Sequence, residues 1–161
     1  MEDKILKILK EQANISKAEL ADRLGTDIDS VENIIAELEN GGHILGYTTI
    51  ISDDHPSSKK SVRALIEVKV TPTREGGYDK IATRISRFPE VSSVYLMSGG
   101  YDLSLEVNGE SLQEVAAFVA TKLSTINGVL SCATHFILKK YKEAGFCYQE
   151  EPTYERLSVT P

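Results

Sequence analysis

Three features common in other classes of protein are scarce or missing in this 161-residue sequence. No apolar run approaches the ~18–20 residues that a membrane-spanning helix needs, so we expect no integral membrane protein. Residues 1–12 mix charged with apolar side chains, a pattern that does not predict a secretory signal. The two cysteines, Cys132 and Cys147, are too few for a disulfide scaffold or an all-cysteine zinc site. These absences predict a cytoplasmic chain with free thiols.

Basic side chains are also in short supply, because 18 lysines and arginines face 24 aspartates and glutamates. A nucleic-acid-binding protein normally carries a basic patch, and a net charge of −6 argues against one. The deficit lies in the first part of the chain, where residues 1–50 hold five basic and ten acidic side chains. Residues 62–140 are nearly balanced, with nine basic and eight acidic side chains.

The chain is predicted to divide at residues 52–61, SDDHPSSKKS. This stretch contains four serines and no apolar side chain except Pro56, so it cannot fill a core and is typical of a linker. Apolar residues make up 41% of the whole chain, which is typical of a globular protein. We therefore expect one domain at residues 1–51, a second at residues 62–140 and a tail at residues 141–161.

The spacing of apolar residues predicts three short helices and a hairpin in the first domain. Ser16 and Glu19 form a capping-box pattern at the start of the second helix, which Gly25 ends. Asp27 is a suitable cap for the third helix. Residues 43–51 flank Gly46 with apolar and β-branched side chains and predict strand, turn, strand. These parts, in this order, predict a winged helix-turn-helix.

The second domain is predicted to have the order β-α-β-β-α-β. Its elements are expected at 64–70, 78–88, 91–98, 103–107, 112–123 and 129–140. Gly99 and Gly100 are predicted to form a two-residue hairpin turn with positive φ at both positions. A four-stranded antiparallel sheet with both helices on one face would bury both apolar stripes. The predicted fold class is therefore α+β, with a ferredoxin-like sandwich after the helix-turn-helix.

The second face of that sheet is predicted to carry several apolar side chains. They are Leu65, Tyr95, Met97, Ala133 and Ile137. Such a face is too apolar for water, so we expect it to pack against another subunit.

Short motifs follow one another along both domains. They are Leu24-Gly25, Leu38-Glu39, GHILGY at 42–47, VYLMSGGYDL at 94–103, and Val129 followed by Thr134. In order and spacing they resemble the Lrp/AsnC (feast/famine) family of transcriptional regulators, and the fourth resembles the G-x-[YF]-D element of that family's RAM ligand-sensing domain. The resemblance covers roughly residues 3 to 140. It implies a homodimer built through the RAM sheets, often assembled into octamers, that binds double-stranded DNA and responds to amino acids.

The helix that resembles the family's recognition helix lacks the arginine that relatives usually place there. Its polar face presents Asp29, Ser30, Glu32, Asn33, Ala36 and Glu37. Asn33 is suited to adenine, and Ser30 to a phosphate or base edge. The remaining candidates for phosphate contacts are Lys17, Arg23, Lys59 and Lys60, with solvated surface charge as the alternative. We expect weak DNA binding per module, strengthened by effective concentration in an oligomer.

The predicted effector site is the turn formed by Ser98, Gly99, Gly100, Tyr101 and Asp102. Backbone amides near the glycines can receive a carboxylate, and Asp102 can receive an α-ammonium group. Thr134, or its neighbour His135, is expected to close the pocket from the adjoining strand. The alternative is a plain turn in which Asp102 bonds to local backbone. The resemblance favours a free amino acid as effector, because the family's effectors lie around this turn between neighbouring dimers.

Catalytic and metal-binding motifs are missing. The three histidines show no H-x-x-x-H or H-E-x-x-H spacing, Asp53-Asp54-His55 lies in the predicted linker, and the glycine pairs lack phosphate-loop spacing. We therefore expect no enzyme, no metal and no cofactor. The leading interpretation is an amino-acid-responsive, DNA-binding transcriptional regulator. The alternative is a metabolite-sensing or interaction protein with a degenerate, acidic helix-turn-helix. For the tail, an added edge strand and disorder both stay open.

Overall fold

The computed structural model describes residues 1–52, 61–72 and 76–148. The chain forms two compact units, Met1–Ile50 and Ile51–Pro161. Most of the predicted linker, with Lys59 and Lys60, lies outside the described residues. Within the described ranges, no helix is both long enough and apolar enough to cross a membrane.

Unit 1 contains the three predicted helices, α1 (Glu2–Glu11), α2 (Lys17–Leu24) and α3 (Ile28–Asn40). Local capping chemistry sets their ends. The Ser16 hydroxyl accepts a hydrogen bond from the Glu19 amide at 3.1 Å, and Gly25 ends α2 in the left-handed conformation with φ 65°. The Asp27 carboxylate accepts from the Ser30 amide at 2.7 Å and begins α3. Ser16 and Asp27 are therefore confirmed as caps, whereas the Glu19 carboxylate accepts from Arg23.

The core of unit 1 joins one apolar stripe from each helix. Its buried residues are Ile5, Ile15, Leu20, Ala21, Val31, Ile35 and Leu38. Because Val31, Ile35 and Leu38 turn one side of α3 inward, the opposite side faces solvent.

The predicted hairpin at residues 43–51 is wrong as a pair of strands, because no strand forms in this segment. An isolated two-stranded hairpin is marginal without a core to cover. Ile44 packs partly buried against the core of unit 1, whereas Leu45 is 94% exposed and Ile51 60% exposed. Tyr47 is anchored by its hydroxyl, which donates to Glu39 Oε1 at 3.0 Å. Partial burial and the neighbouring Glu39 raise the pKa of Tyr47.

Unit 2 has the predicted βαββαβ order. Its elements are β1 (Val62–Val70), α4 (Asp79–Ile85), β2 (Val91–Leu96), β3 (Leu103–Gly109), α5 (Leu112–Phe118) with a π-helical turn (Val119–Leu123), and β4 (Val129–Phe136). The sheet order is β2-β3-β1-β4, and every neighbouring pair is antiparallel. This is the ferredoxin-like arrangement expected from the sequence.

Alternation along β1 explains the core of unit 2. Ala64, Ile66 and Val68 are fully buried and pair with inward residues of β3. The two helices cover this face, and the Phe88 and Phe118 rings pack edge to face at 5.5 Å. Cys132 packs partly buried against the same core, and burial raises the pKa of its thiol.

The outer face of the sheet is more polar than the sequence pattern indicated. Leu65 lies there between Glu106 of β3 and His135 of β4. His135 Nε2 is 3.2 Å from Glu67 Oε2, and Ser104 lies opposite both Glu67 and Tyr95. Apolar and ionisable side chains therefore alternate on this face.

The last predicted strand is too long, because β4 ends at Phe136 and not at residue 140. The Ile137 amide still donates to the Arg63 carbonyl at 2.9 Å, but the β1–β4 register ends at the Ala64–Phe136 pair. Beyond it the chain forms a small hairpin from β5 (Lys142–Glu143) and β6 (Phe146–Cys147). Part of the tail is therefore ordered as a separate two-stranded sheet.

Candidate DNA-binding helices and ligand-binding turn

The outward side of α3 presents the residues predicted to meet DNA. Asn33 is exposed near the middle of the helix, and no side-chain hydrogen bond engages it among the described residues. Ser30 differs, because its hydroxyl donates to Asp27 Oδ2 at 2.7 Å. These bonds from Ser30 lower the pKa of Asp27. Asn33 is therefore free to reach a base edge, whereas Ser30 already serves the helix cap.

The two described cations predicted to touch phosphate both have carboxylate partners. Lys17 Nζ lies 3.0 Å from Glu32 Oε1, and this pair joins the start of α2 to α3. Arg23 Nη2 lies 2.6 Å from Glu19 Oε1, one turn earlier in α2. The same nitrogen donates to Gln12 Oε1 at 3.4 Å. All four charged side chains are about half exposed.

The connection between β2 and β3 is longer than the predicted two-residue turn. The Met97 amide donates to the Asp102 carbonyl at 2.8 Å, which leaves four residues, Ser98 to Tyr101, in the loop. Gly99 has a positive φ of 159°, as predicted, but Gly100 is not among the residues with positive φ. The predicted two-residue turn with positive φ at both glycines is therefore wrong. It failed because the pairing of Met97 with Asp102 closes the loop one residue further out at each end.

The loop is nonetheless open to a ligand. Ser98, Gly99 and Gly100 are exposed, and a side chain placed on either glycine would meet nothing within 4 Å. Lys69 Nζ donates to the Gly100 carbonyl at 2.9 Å, so a lysine from β1 holds one side of the loop. Lys69 was not predicted here, because it lies 31 residues away in sequence.

Asp102 has a structural contact that the sequence left open as an alternative. Its Oδ2 accepts a hydrogen bond from the Val70 amide at 2.9 Å, and its own amide donates to the Val68 carbonyl at 3.0 Å. These bonds continue the β3–β1 pairing past Leu103, at the point where the β1–β4 register shifts. Asp102 thus holds the base of the loop in place. Its other carboxylate oxygen, Oδ1, takes no part in this hydrogen bond.

Thr134 is not brought to the loop within one chain. It lies on β4 opposite Ile66, while Asp102 lies beside Val68 and Val70 on the other side of β1. Two strand spacings of ~4.8 Å and about three residues of ~3.3 Å each separate them. The expectation that β4 adjoins the turn is wrong for a single chain, because β1 intervenes. His135 is also distant and pairs with Glu67.

No group of three or more His, Cys, Asp or Glu side chains that could hold a metal occurs among the described residues. The chemistry available at the loop is therefore that of backbone amides, one carboxylate and one lysine.

Two family matches cover these two units. Residues 4–44 match the winged helix-turn-helix DNA-binding family, and residues 63–145 match the Lrp/AsnC ligand binding domain. The chain belongs to the Lrp/AsnC family.

Relatives of this Lrp/AsnC protein match its sequence over most of its length. It is 44% identical over 160 residues to the HTH-type transcriptional regulator YugG of Bacillus subtilis, covering 99% of this chain and 96% of the relative. It is 25% identical over 142 residues to a proline dehydrogenase transcriptional activator of Rhizobium radiobacter, covering 88% and 90%. Both relatives are transcriptional regulators and not enzymes.

A solved structure supports the fold of this Lrp/AsnC protein. The Neisseria meningitidis transcriptional regulator crystallised with L-methionine superposes with a TM-score of 0.69 at 24% identity, covering 88% of this chain and 90% of that one. The protein is thus an Lrp/AsnC-type transcriptional regulator with a helix-turn-helix and an amino-acid ligand-binding domain. The alternative of a degenerate regulator has no support in these comparisons.

Proposed function

We propose that this regulator binds double-stranded DNA through α2 and α3 and responds to a free amino acid at the Ser98–Asp102 loop. The observation that carries the proposal is the exposed, polar loop between β2 and β3 of the ligand-binding domain. The space beside Gly99 and Gly100 in this loop is open. Its two functions rest on different units, so each can be tested by itself.

For DNA, Asn33 is the proposed base-reading residue, because an amide pairs bidentately with adenine in the major groove. Ser30 can add a contact only by leaving the Asp27 carboxylate. Phosphate contacts are assigned to Lys17 and Arg23, and to Lys59 and Lys60 of the predicted linker. With so few cations, each module binds weakly, and several modules in one oligomer supply useful affinity.

For the effector, the amides of Gly99 and Gly100 receive the carboxylate of a free amino acid. Lys69 lies next to them and favours an anion. The α-ammonium group pairs with Asp102, whose second oxygen is not used by Val70. Tyr101 is half-buried at the inner edge of the loop. Thr134 takes part only if it comes from a neighbouring copy, since one chain keeps it across the sheet. The relative crystallised with L-methionine makes an amino acid the class to test first.

Assembly belongs to the same proposal. Tyr95 and Met97 are 52% and 51% exposed at one end of the sheet, and Leu65 lies on the same face. A homodimer through these RAM sheets would cover them, and further assembly to an octamer would bring loops together. The proposed location is the cytoplasm, where a bacterial-type regulator meets its DNA.

Calorimetric titration of the full chain with each standard amino acid tests the effector site. We expect at least one to bind at millimolar concentration or below. Gly100→Val should abolish that binding yet keep the fold, because the space beside Gly100 is open. Asp102→Asn should also lose binding while its amide oxygen still accepts from Val70. If no amino acid binds, or if both variants bind normally, the site assignment is wrong.

A further inference from the structure

Unit 1 holds its two described α2 cations in internal ion pairs. Residues 1–50 carry ten acidic side chains against five basic ones, and two of the acids lie directly on Lys17 and Arg23. We infer that Glu32 and Glu19 withhold Lys17 and Arg23 from DNA phosphates and thereby lower the sequence-independent part of the DNA affinity. This inference rests on the proposed DNA binding. It assigns a role in DNA affinity to Glu19 and Glu32, although both are acidic and cannot themselves contact phosphate favourably.

The Lys17–Glu32 pair crosses between the two helices of the helix-turn-helix. Lys17 is the first residue of α2, and Glu32 lies in the first half of α3, one residue before Asn33. A separation of 3.0 Å makes this a direct hydrogen-bonded ion pair. Glu32, the residue beside the proposed base reader, therefore pairs directly with Lys17.

Arg23 is held within its own helix. Glu19 precedes it by four residues, which is the favourable order for an ion pair along a helix. Gln12, at the end of α1, accepts a second bond from the same guanidinium nitrogen. The arginine is thus directed toward its own domain by two partners from different helices.

Both ion pairs are weak enough for a DNA phosphate to displace the carboxylate, yet strong enough to change the DNA affinity measurably. Half-exposed ion pairs typically change an equilibrium by about fivefold at most, so a phosphate can displace the carboxylate at a modest cost. Phosphate contacts carry no sequence information, whereas base contacts do. Withholding the cations therefore weakens binding to every sequence equally and leaves the contribution of Asn33 intact.

The test measures affinity for a labelled mixed-sequence DNA duplex by fluorescence anisotropy, using the full chain at about 50 mM and about 200 mM salt. Glu32→Gln and Glu19→Gln each remove one carboxylate from a cation. Glu37→Gln and Asp22→Asn are matched controls, because they remove the same charge from the same helices. Neither Glu37 nor Asp22 has an ion pair within the described part of the chain.

We expect each freed cation to raise affinity at low salt by at least twofold over its control. It should also steepen the salt dependence, because one phosphate contact changes affinity about 3.5-fold between those salt concentrations, with a slope of about 0.9. Lys17→Gln should remove the whole gain in the Glu32→Gln chain, and the loss of affinity that it causes there should exceed the loss that it causes in the wild-type chain.

Three results would overturn this inference. Equal gains for Glu32→Gln and Glu37→Gln would mean that only overall charge matters. Wild-type binding with no gain in either variant would refute the withholding while leaving the proposed DNA binding in place. No binding by the wild type or by a Glu19→Gln/Glu32→Gln double variant at micromolar protein would refute both.

Discussion

Glu143 is the centre of a polar cluster that ties the tail hairpin to the sheet. Its carboxylate accepts hydrogen bonds from the Tyr148 hydroxyl and the Arg63 guanidinium, and from Lys140 Nζ at 3.4 Å. The Tyr148 bond, followed by the Arg63 bond, lowers the pKa of Glu143 to about 2. The same contacts raise the pKa of Tyr148 and of Arg63. We predict that replacing Glu143 with glutamine destabilises the hairpin in a pH-dependent way.

The size of the effect follows from the pKa. A folded-state pKa of about 2 against an ordinary value of 4.5 corresponds to roughly 3 kcal/mol at neutral pH. The Glu143 side chain is 25% exposed, and screening by water reduces this to about 1–2 kcal/mol. Because the pKa is lowered in the folded state, the stabilisation is complete above pH 4.5. It is lost as pH falls from there toward the folded-state pKa of about 2.

The assay compares wild type, Glu143→Gln and the control Glu110→Gln between pH 7 and about pH 3. Urea unfolding reports the whole unit, and hydrogen exchange of the Tyr148 amide, which donates to the Tyr141 carbonyl at 3.0 Å, reports the hairpin alone. We expect Glu143→Gln to speed exchange at pH 7 by about five- to thirtyfold, with the difference in exchange rate between variant and wild type narrowing in acid. Equal exchange in wild type and variant at pH 7, or profiles that stay parallel in acid, would refute the reasoning.

Other predictions concern the loop, the core and assembly. Asp102→Ala should lower the free energy of unfolding in urea by about 1–3 kcal/mol, because the Val70 amide loses its acceptor, and Asp102→Asn should recover most of it; equal losses would contradict this. Gly128→Ala should cost at least ~1 kcal/mol by the same measurement, since Gly128 has φ 98° and a Cβ would lie 2.7 Å from Ile81 Cδ1; a neutral result would be against it. Met97→Lys should reduce the sedimentation coefficient by breaking the proposed dimer, because a buried unpaired ammonium costs several kcal/mol, about 3–5 in comparable cases; an unchanged coefficient would place the interface elsewhere.

Local chemistry made the helical part of this fold predictable. A helix cap depends only on residues that are close in sequence, because the serine or aspartate side chain accepts a hydrogen bond from the backbone amide three residues later. Ser16 and Asp27 cap α2 and α3 in this way, as expected. Alternation in β1 was equally informative, because a strand covered by helices on one side must bury every second residue. The strands predicted at residues 43–51 do not form. Ile44 packs against the core of unit 1 but Leu45 is 94% exposed, and a local apolar pattern cannot show which side chains a core will cover.

The sequence indicated which loop to propose as the effector site, but it did not predict the contacts that the loop makes. The Ser98–Asp102 segment could be singled out because glycine and aspartate chemistry is local. The bond from Val70 to Asp102 spans 32 residues and depends on strand register, which no short motif reveals. The same holds for Lys69 on Gly100 and for Lys17 on Glu32, where residues 31 and 15 positions apart become neighbours only through packing.

The most direct test of an amino-acid-responsive DNA-binding regulator measures both activities in one titration. A labelled duplex from the region upstream of its own gene is titrated with the full chain at low salt, with and without each amino acid that binds in calorimetry. We predict binding that at least one amino acid shifts by several-fold in the wild type and does not shift in Gly100→Val. Binding that no amino acid alters, or an equal shift in Gly100→Val, would contradict the account.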